Sequence, residues 1–392
     1  MADERQSADF LPRDELPLNG VRVLEFCHIA AGPFAAMTLA DLGAEVIKIE
    51  SPGGDGMRQW PPINEGFSEN FASLNRNKFS ISANLKDPGE RDKVLDLIEH
   101  ADILLENNRP GVMNRLGLGP DQAMARNPAL VYCSISAFGQ SGPRATQGGF
   151  DVTIQAVSGI MSVTGEPDGA PVKAGVPMSD MASGLYATTA CLAALMKARA
   201  TGVGSVVDIS MLASSLGVAA LQTSEWFGSG KLPKALGSAH PRNAPYQGFE
   251  SADRPFVMAA GNDNLWQKVC AVVDLPALLQ DPLFKTNSDR ATNQATLKTQ
   301  LEAVFITQPA AHWVAAFSEA GVPAVLINNY QEALEDEQTI AMNLVQPLTL
   351  GNGQETLTVG PTIRLDNKPL PIRRGPPELG QDNQLMTGKN NG

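Results

Sequence analysis

Hydrophobic and polar positions in the first half of the chain follow two periods, one typical of strands and one typical of helices. The apolar runs VRVLEF (residues 21–26) and EVIKIE (residues 45–50) are typical of buried strands, and an Ala-rich helical segment separates them. Further strands are predicted at KFSISANL, DILLEN, ALVYCSISAFG and GSVVDISML, and helical patterns dominate from residue 151 to about residue 200. This alternation predicts an α/β fold with a mostly parallel sheet.

The pattern changes near Trp226, where a loop-rich stretch with short strands precedes two or three helices. We therefore predict a large domain over residues 16–225, a smaller α+β domain over residues 231–321, and a return to the large domain over residues 322–392. The returning segment ends in a Pro-rich, extended tail.

Composition narrows the function classes. The 392 residues carry a formal net charge of −12, which disfavours nucleic acid or an anionic membrane as a partner. The N-terminal residues lack the pattern of a secretory signal, and the longest apolar run is too short to span a bilayer. The four cysteines lie far apart, without metal-ligand spacing. These features predict a cytoplasmic protein without a membrane partner or a metal site.

Two features suit a phosphate-bearing ligand. The turn HIAAGPFA brings a strand end into a helix start, where backbone N–H groups can meet a phosphate, but tight packing explains the same small residues. Cations also lie at strand ends and in adjoining loops, and ligands of open α/β sheets bind outside the carboxyl ends of the strands; ordinary surface charge is an equal alternative. These cations include Arg58, Arg76, Lys78, Lys86, Arg109 and Arg115.

Asp180 lies in VPMSDMASG, where a Pro-interrupted segment gives way to a long run of small and apolar residues. Spacing alone favours a helix N-cap, because Asp is among the best N-cap residues. The carboxylate can also serve chemistry, since a helix start favours its ionised form and offers N–H groups to a neighbouring oxyanion. No His-x-x-x-His pair and no G-x-S-x-G motif indicates a metal centre or a serine hydrolase.

Several motifs, taken in order, resemble those of the class III CoA-transferases, the formyl-CoA and carnitine CoA-transferase family. They are GVRVLEFCHIAAGPFAAMTLADLGAEVIKIE, NRNKFSISANLKDPGER, ENNRPGVMNRLGLG, GGFDVTIQAVSG, VPMSDMASGLYA and PPELGQDN, between residues of about 16 and 383. The stretches GSAHPRNAPYQGF and LFKTNSDRATNQATL look most like the succinyl-CoA:glutarate-type branch. The resemblance implies a Rossmann-like large domain, a small domain, and a homodimer of interlocked, ring-like subunits.

The family's catalytic aspartate falls on Asp180. In the implied reaction this carboxylate attacks an acyl-CoA thioester, which gives an acyl–aspartyl anhydride and CoA thiolate; the thiolate then forms an aspartyl-CoA thioester. The acceptor carboxylate then attacks the aspartyl-CoA thioester, and the same steps in reverse give the new acyl-CoA. The implied substrates are an acyl-CoA, with succinyl-CoA as one candidate, and a short-chain or dicarboxylic acid, and no tightly bound cofactor is expected.

Other site residues carry over from the family by position. Ile29, Ala30 and Ala31 are expected to line the thiol end of CoA, and Lys86, Asn107, Asn108, Arg109 and Arg115 to meet its adenine nucleotide and phosphates. Many members place Arg where this chain has Ser51, so Arg76 or Lys78 would have to compensate. Asp151 is expected either to position the substrate or to cap a helix, and Arg242 to hold the distal end of a dicarboxylate.

Two other functions stay open at this point. The α-methylacyl-CoA racemases of the same superfamily use a His/Asp pair, and their histidine directly precedes the acid of GGFD. Here that position is Phe150, which cannot take a proton. A non-catalytic CoA-binding protein would keep the cations but would not need an acid at position 180. The transferase is the favoured hypothesis.

Overall fold

The computed structural model describes residues 10–387, which form two compact units. The larger unit contains the chain up to Ile160, Lys173–Lys231 and the segment from Glu337 onward; the smaller unit contains Met161–Val172 and Leu232–Asp336. Residues 1–9 and residues 388–392, at the end of the predicted tail, lie outside the described residues.

The larger unit is built on a parallel sheet. Its strands up to residue 210 are β1 (Arg22–Phe26), β2 (Glu45–Glu50), β3 (Ile63–Asn64), β4 (Phe67–Ser68), β5 (Lys78–Ser82), β6 (Ile103–Glu106), β7 (Val131–Ser136) and β8 (Ser205–Ser210). Strands β3 and β4 pair with each other, and the other six form a parallel sheet in the order β5-β2-β1-β6-β7-β8. The predicted α/β fold with a parallel sheet is confirmed. The strand order reverses between β1 and β6, and a crevice opens at such a point in open sheets.

Helices pack against this sheet because its central strands bury side chains on both faces. Val23 and Ile103 belong to one core cluster, whereas their neighbours Leu24 and Leu104 belong to another. The helices of this part are α1 (Ala31–Asp41), α2 (Glu69–Asn75), α3 (Pro88–Ile98), α4 (Val112–Arg115), α5 (Pro120–Arg126), α6 (Asp151–Val157), α7 (Met178–Thr201), α8 (Met211–Val218) and α9 (Ala220–Ser229).

The smaller unit combines an antiparallel sheet, in the order β11-β10-β9, with helices. Its elements are β9 (Tyr246–Phe249), β10 (Phe256–Ala259), α10 (Asp263–Val272), α11 (Asn287–Thr292), α12 (Gln294–Phe305), α13 (Ala310–Glu319), β11 (Ala324–Leu326) and α14 (Tyr330–Glu335). Aromatic rings fill its core, where the rings of Phe256 and Phe305 meet edge to face. Because β11 pairs with β10, residues up to Asp336 group with this unit, whereas the sequence pattern predicts the return to the large domain at residue 322.

The last part of the chain rejoins the larger unit. Its elements are α15 (Glu337–Ala341), β12 (Val345–Thr349), β13 (Glu355–Val359), β14 (Arg364–Leu365) and β15 (Lys368–Pro369). The tail then runs along β5: Ser80 N donates to Asp382 Oδ2 at 2.9 Å, and Ser82 N donates to Asn383 Oδ1 at 2.8 Å. The PPELGQDN motif therefore covers the open edge of the parallel sheet.

Candidate active site

A cavity of about 210 Å³ opens at the carboxyl ends of β1, β6 and β7. Its walls come from residues 28–31, 107–110, 135–137 and 147–151, together with Asp180 and Met211. This is the point at which the strand order reverses, where parallel sheets of this kind bind their ligands. The cavity is therefore the candidate site.

The loop between β1 and α1 forms one wall of the cavity and is anchored by side chains from other segments. His28 N donates to Asn107 Oδ1, and His28 O accepts from Asn107 Nδ2, both at 2.8 Å. Ile29 N lies 3.2 Å from each carboxylate oxygen of Asp55. Ile29 has a φ of 66°, a left-handed conformation that is rare for a β-branched residue. The contacts from Asn107 and Asp55 therefore determine where this wall lies.

Asp180 lies in the first turn of α7, but it is not the N-cap. The helix begins at Met178 after Pro177, which makes no side-chain capping bond. Asp151 supplies the acceptor instead: its Oδ1 accepts from Ser179 N at 2.8 Å and lies 3.4 Å from Asp180 N. The expectation of an Asp180 N-cap is wrong, because a carboxylate from α6 occupies that position.

The two carboxylates interact electrostatically. Burial raises the pKa of Asp180, and the negative charge of Asp151 raises it further, to about 7. The expectation that the helix start keeps Asp180 ionised is corrected, since the protonated and ionised forms coexist near neutral pH. A carboxyl group in a cleft with a pKa near 7 is typical of a functional site.

Close packing of α7 on α1 places Asp180 beside the cavity loop. Gly184, one turn after Asp180, lies where a Cβ atom would come within 2.8 Å of Ala31 O and 2.7 Å of Phe34 Cδ1. Thr188 Oγ1, one turn further, lies 3.5 Å from Ala35 O. A side chain at position 184 would therefore separate the two helices and move Asp180 away from the loop.

Arg109 and Phe150 line the other side of the cavity. The Arg109 guanidinium packs on Gly148 so closely that a Cβ there would lie 2.7 Å from Nη2. Arg109 is exposed, and it has no acidic partner within 4.0 Å among residues 10–387. The Phe150 ring is 67% exposed. Arg109 is thus a cation that is free to meet an anionic ligand.

Arg76 and Lys78 cannot act as the predicted CoA-binding cations. Arg76 is buried, and its Nη2 lies 2.6 Å from Asp41 Oδ2. Lys78 is fully buried, with Nζ 2.9 Å from Glu25 Oε2, and burial lowers its pKa to about 8. Neither residue lines the cavity, because both cationic groups are paired with carboxylates in the protein interior.

The remaining predicted CoA residues divide into two groups. Those that line the cavity are Ile29, Ala30, Ala31, Asn107, Asn108 and Arg109. The Asn107 amide is already bonded to the backbone of His28. Lys86 and Arg115 do not line the cavity; they are exposed on the segments that follow β5 and β6. Their contacts with CoA stay predictions.

Arg242 lies in the smaller unit, on the segment before β9. Its backbone N–H donates to His240 Nδ1 at 3.1 Å. Its predicted role toward a dicarboxylate stays a prediction.

Two residues near the cavity, Lys48 and Asp55, were not singled out from the sequence, whereas His28 lies in the turn HIAAGPFA, where the sequence offers it as a polar contact for a ligand. His28 lines the cavity, and burial, followed by the charge of Lys48, lowers its pKa. Lys48 and Asp55 lie behind the loop and are buried. A lysine within the apolar run EVIKIE was the available signal, because a charge in a central strand needs a buried partner.

Within residues 10–387, no cluster of three His, Cys, Asp or Glu side chains could hold a metal ion. In the same part of the chain, no helix is both long and apolar enough to cross a membrane. The four cysteines are free and buried.

Comparison with known proteins points to one family. Residues 18–383 match the model of the family described as CoA-transferase family III. The acetyl-CoA:oxalate CoA-transferase of Acetobacter aceti is 41% identical over 84% of this chain and 85% of its own. The succinyl-CoA:glutarate CoA-transferase of Mus musculus is 37% identical over 93% of this chain and 84% of its own.

A solved structure has the same fold. The crystal structure of a CAIB/BAIF family protein from Brucella suis superposes with a TM-score of 0.85 at 36% identity, over 95% of this chain and 99% of that chain. The match extends over both units of the chain.

Proposed function

This chain belongs to CoA-transferase family III, and on that premise we propose that Asp180 is the nucleophile that carries CoA between two carboxylic acids. The chain is an acyl-CoA:carboxylate CoA-transferase. The observation that supports the role of Asp180 is its place: a carboxyl group in the cavity at the strand-order reversal, with a pKa of about 7.

The chemistry needs an ionised carboxylate and no proton transfer. Asp180 attacks the thioester carbon, the C–S bond breaks, and the products are an acyl–aspartyl anhydride and CoA thiolate. The thiolate attacks the aspartyl carbonyl and releases the donor acid as its carboxylate. The acceptor carboxylate then attacks the aspartyl-CoA thioester, and the new acyl-CoA forms by the reverse sequence. Each step exchanges one anion for another, so the cavity must exclude water rather than supply an acid.

The CoA phosphates need cations, and three exposed ones are available. Arg109 lines the cavity, while Lys86 and Arg115 lie on the segments that follow β5 and β6. The start of α1, at Ala30 and Ala31, brings a helix N-terminus to the same cavity and favours negative charge there. These groups compensate for Ser51.

We propose a dicarboxylic acid as acceptor and succinyl-CoA or another short acyl-CoA as donor. The names of the relatives from Acetobacter aceti and Mus musculus support this, since they mention oxalate, succinyl-CoA and glutarate. A screen of succinyl-CoA and acetyl-CoA against mono- and dicarboxylic acids tests it. If Arg242 holds the distal carboxylate, Arg242→Ala raises KM for dicarboxylates and leaves KM for monocarboxylates unchanged.

Covalent trapping tests the nucleophile. Acyl-CoA with hydroxylamine should leave a hydroxamate on Asp180, located by peptide mass spectrometry. Asp180→Ala should abolish both the hydroxamate and CoA exchange while the protein stays folded. Exchange at the wild-type rate in Asp180→Ala contradicts the proposal.

The same preparation discriminates between transferase and racemase. The cavity contains one imidazole, that of His28, and the position before Asp151 is a phenyl ring. Transfer predicts that the α-proton of an acyl-CoA in deuterated water is kept when no acceptor acid is present. Rapid exchange without an acceptor indicates proton abstraction instead.

We propose that the transferase works as a homodimer. Helices α6 to α9 carry several exposed apolar side chains, and large exposed patches of this kind mark interfaces. They include Val152, Leu185, Tyr186, Met196, Leu221 and Phe227. Light scattering after size exclusion should give twice the 41.6 kDa mass of one chain. A single-chain mass at micromolar concentration contradicts this proposal.

A further inference from the structure

Four charged side chains are buried behind the loop that forms one wall of the cavity. Glu25, Lys48, Asp55 and Lys78 are each at most 1% exposed. Lys48 Nζ lies 3.1 Å from Glu25 Oε1 and 3.0 Å from Asp55 Oδ2, and Lys78 Nζ lies 2.9 Å from Glu25 Oε2. Burying ion pairs costs desolvation energy that apolar side chains would avoid. Stability alone therefore does not explain this cluster.

Three members of the cluster also bind the backbone of the cavity loop. Lys48 Nζ donates to Cys27 O at 2.7 Å, and Lys78 Nζ donates to Pro33 O at 2.9 Å. Between these two anchors, the Asp55 carboxylate accepts the Ile29 N–H. Residues 27–33, which comprise this loop and the first residues of α1, are thus fixed at their start, their middle and their end.

The middle anchor acts at the strained residue. A left-handed φ is unfavourable for a β-branched residue and persists only where the surroundings enforce it. Without the contact to Asp55, Ile29 would relax toward negative φ. That rotation would turn the peptide groups of Ala30 and Ala31, which line the cavity that contains Asp180.

Lys48 maintains the charge of this anchor. Burial raises the pKa of Asp55, but the Lys48 charge and the Met57 N–H outweigh it, so the pKa of Asp55 is lowered. Asp55 therefore stays ionised and keeps acceptor oxygens for Ile29, Met57 and Lys48 together.

We infer that Asp55, ion-paired to Lys48, is a positioning residue for CoA transfer: it keeps Ile29 left-handed and so sets the start of α1 against Asp180. Asp55 does not line the cavity and acts through the loop. The inference rests on the proposed function, because it takes the Asp180 cavity as the place of reaction.

Asp55→Asn is the direct test. Asn has the same size, but one acceptor oxygen becomes an NH₂ group that must face either the Met57 N–H or the Lys48 ammonium. In both orientations the Ile29 N–H loses one of its two acceptor oxygens. We expect kcat to fall about 10- to 100-fold, as misplacement of reacting groups by about 1 Å does. The rate of hydroxylamine trapping should fall by the same factor, whereas KM for acyl-CoA changes much less.

Asp41→Asn is the matched control, because Asp41 is also a buried aspartate with a cationic partner, Arg76. It should lower Tm without lowering kcat per folded molecule. If Asp55→Asn behaves in the same way, with a lower Tm and an unchanged kcat, the positioning role is overturned.

A double-mutant cycle tests the strain itself. Glycine adopts a positive φ without cost, so Ile29→Gly removes the need for the Asp55 contact. In that background Asp55→Asn should lower kcat by less than about threefold. If the loss of kcat in the double variant equals the product of the losses in the two single variants, the inference is overturned.

Ile29→Pro serves if Asp55→Asn does not fold. Proline fixes φ near −65° and removes the N–H, so kcat should fall much further in Ile29→Pro than in Ile29→Gly, which loses the same side chain but keeps the positive φ. Wild-type kcat in Ile29→Pro would overturn the inference. Asp180→Ala separates the two proposals: CoA transfer by that variant contradicts the proposed function, whereas an inactive Asp180→Ala with a fully active Asp55→Asn contradicts only the positioning role.

Discussion

Removing the negative charge of Asp151 should move the acid limb of the pH profile to lower pH. Asp151→Asn keeps an oxygen for the N–H groups of Ser179 and Asp180 but removes the charge. The pKa of Asp180 then falls toward its ordinary value. Since only the ionised carboxylate attacks a thioester, more enzyme is active below pH 7.

The magnitude follows from the causes of the raised pKa. The pKa of Asp180 is about 7, against an ordinary value of 3.8; burial is the larger cause of the increase and the charge of Asp151 the smaller. We therefore assign about one pH unit to Asp151. At pH 6 the ionised fraction rises from about one tenth to about one half, so kcat/KM relative to its alkaline plateau rises about fivefold. The plateau itself falls, because a less basic carboxylate is a weaker nucleophile.

The assay compares kcat/KM between about pH 5 and 9 for both enzymes, since this parameter reports the pKa values of the free enzyme. The same acyl-CoA and acceptor are used throughout, so ionisation of the substrates displaces both profiles equally. Asp121→Asn, at an exposed acid on α5, is the control and should leave the profile unchanged.

An acid limb that does not move in Asp151→Asn refutes this reasoning, provided that Asp180 still forms a hydroxamate in the variant. Burial alone would then set the pKa. A limb that moves to higher pH also refutes it, because it would mean that Asp151 stabilises the ionised form.

Three further predictions concern stability and binding. A raised carboxyl pKa makes the folded state bind more protons than the unfolded state between about pH 4 and 7, so stability is lost as pH rises through that range. Asp180→Asn should therefore stabilise the fold by on the order of 1–2 kcal/mol at pH 8, with the gain disappearing near pH 4 in thermal melts; a pH-independent gain contradicts this. This expected gain in stability is smaller than the roughly 4 kcal/mol that the full rise in the Asp180 pKa would imply, since the side chain is partly solvated. Gly184→Ala should lower stability by about 1–3 kcal/mol and reduce kcat, because its Cβ would lie 2.8 Å from a backbone oxygen of α1. Denaturant unfolding measures the stability, and initial rates measure kcat. Wild-type values of both would show that the two helices can separate freely. Arg109→Ala should raise KM for acyl-CoA and weaken the salt dependence of that KM. Arg76→Ala should leave KM unchanged but lower the free energy of unfolding by about 3–5 kcal/mol, because Asp41 is left unpaired in the interior. The opposite result would reassign the CoA-binding cation.

The order of strands and helices in the larger unit could be predicted from the sequence because periodicity is a local property. The runs VRVLEF and EVIKIE are buried on both sheet faces, so they contain mostly apolar residues, and the helical segments between them force parallel pairing. Asp180 could be singled out in the same way, as one acid before a long apolar helix.

The roles of the charged residues could not be predicted in this way. Arg76, Lys78 and Arg109 all lie at or near the ends of strands of the same sheet, yet two of them are buried against carboxylates and one is free. Whether a cation can bind a ligand depends on partners that lie far away in sequence, such as Asp41 for Arg76. The spacing of residues along the chain does not show which of these distant residues become neighbours in the fold.

By itself, the sequence determined the α/β architecture and singled out Asp180 as the candidate nucleophile, since both follow from local patterns and quoted motifs. Only the tertiary structure decided that Asp151, 29 residues away, caps the helix of Asp180, and that both carboxyl groups share one cavity. It also decided that Lys48 and Asp55 support the loop between β1 and α1. The physical reason is that pKa values and loop conformations depend on burial and on charges across space, and these exist only once the chain is folded.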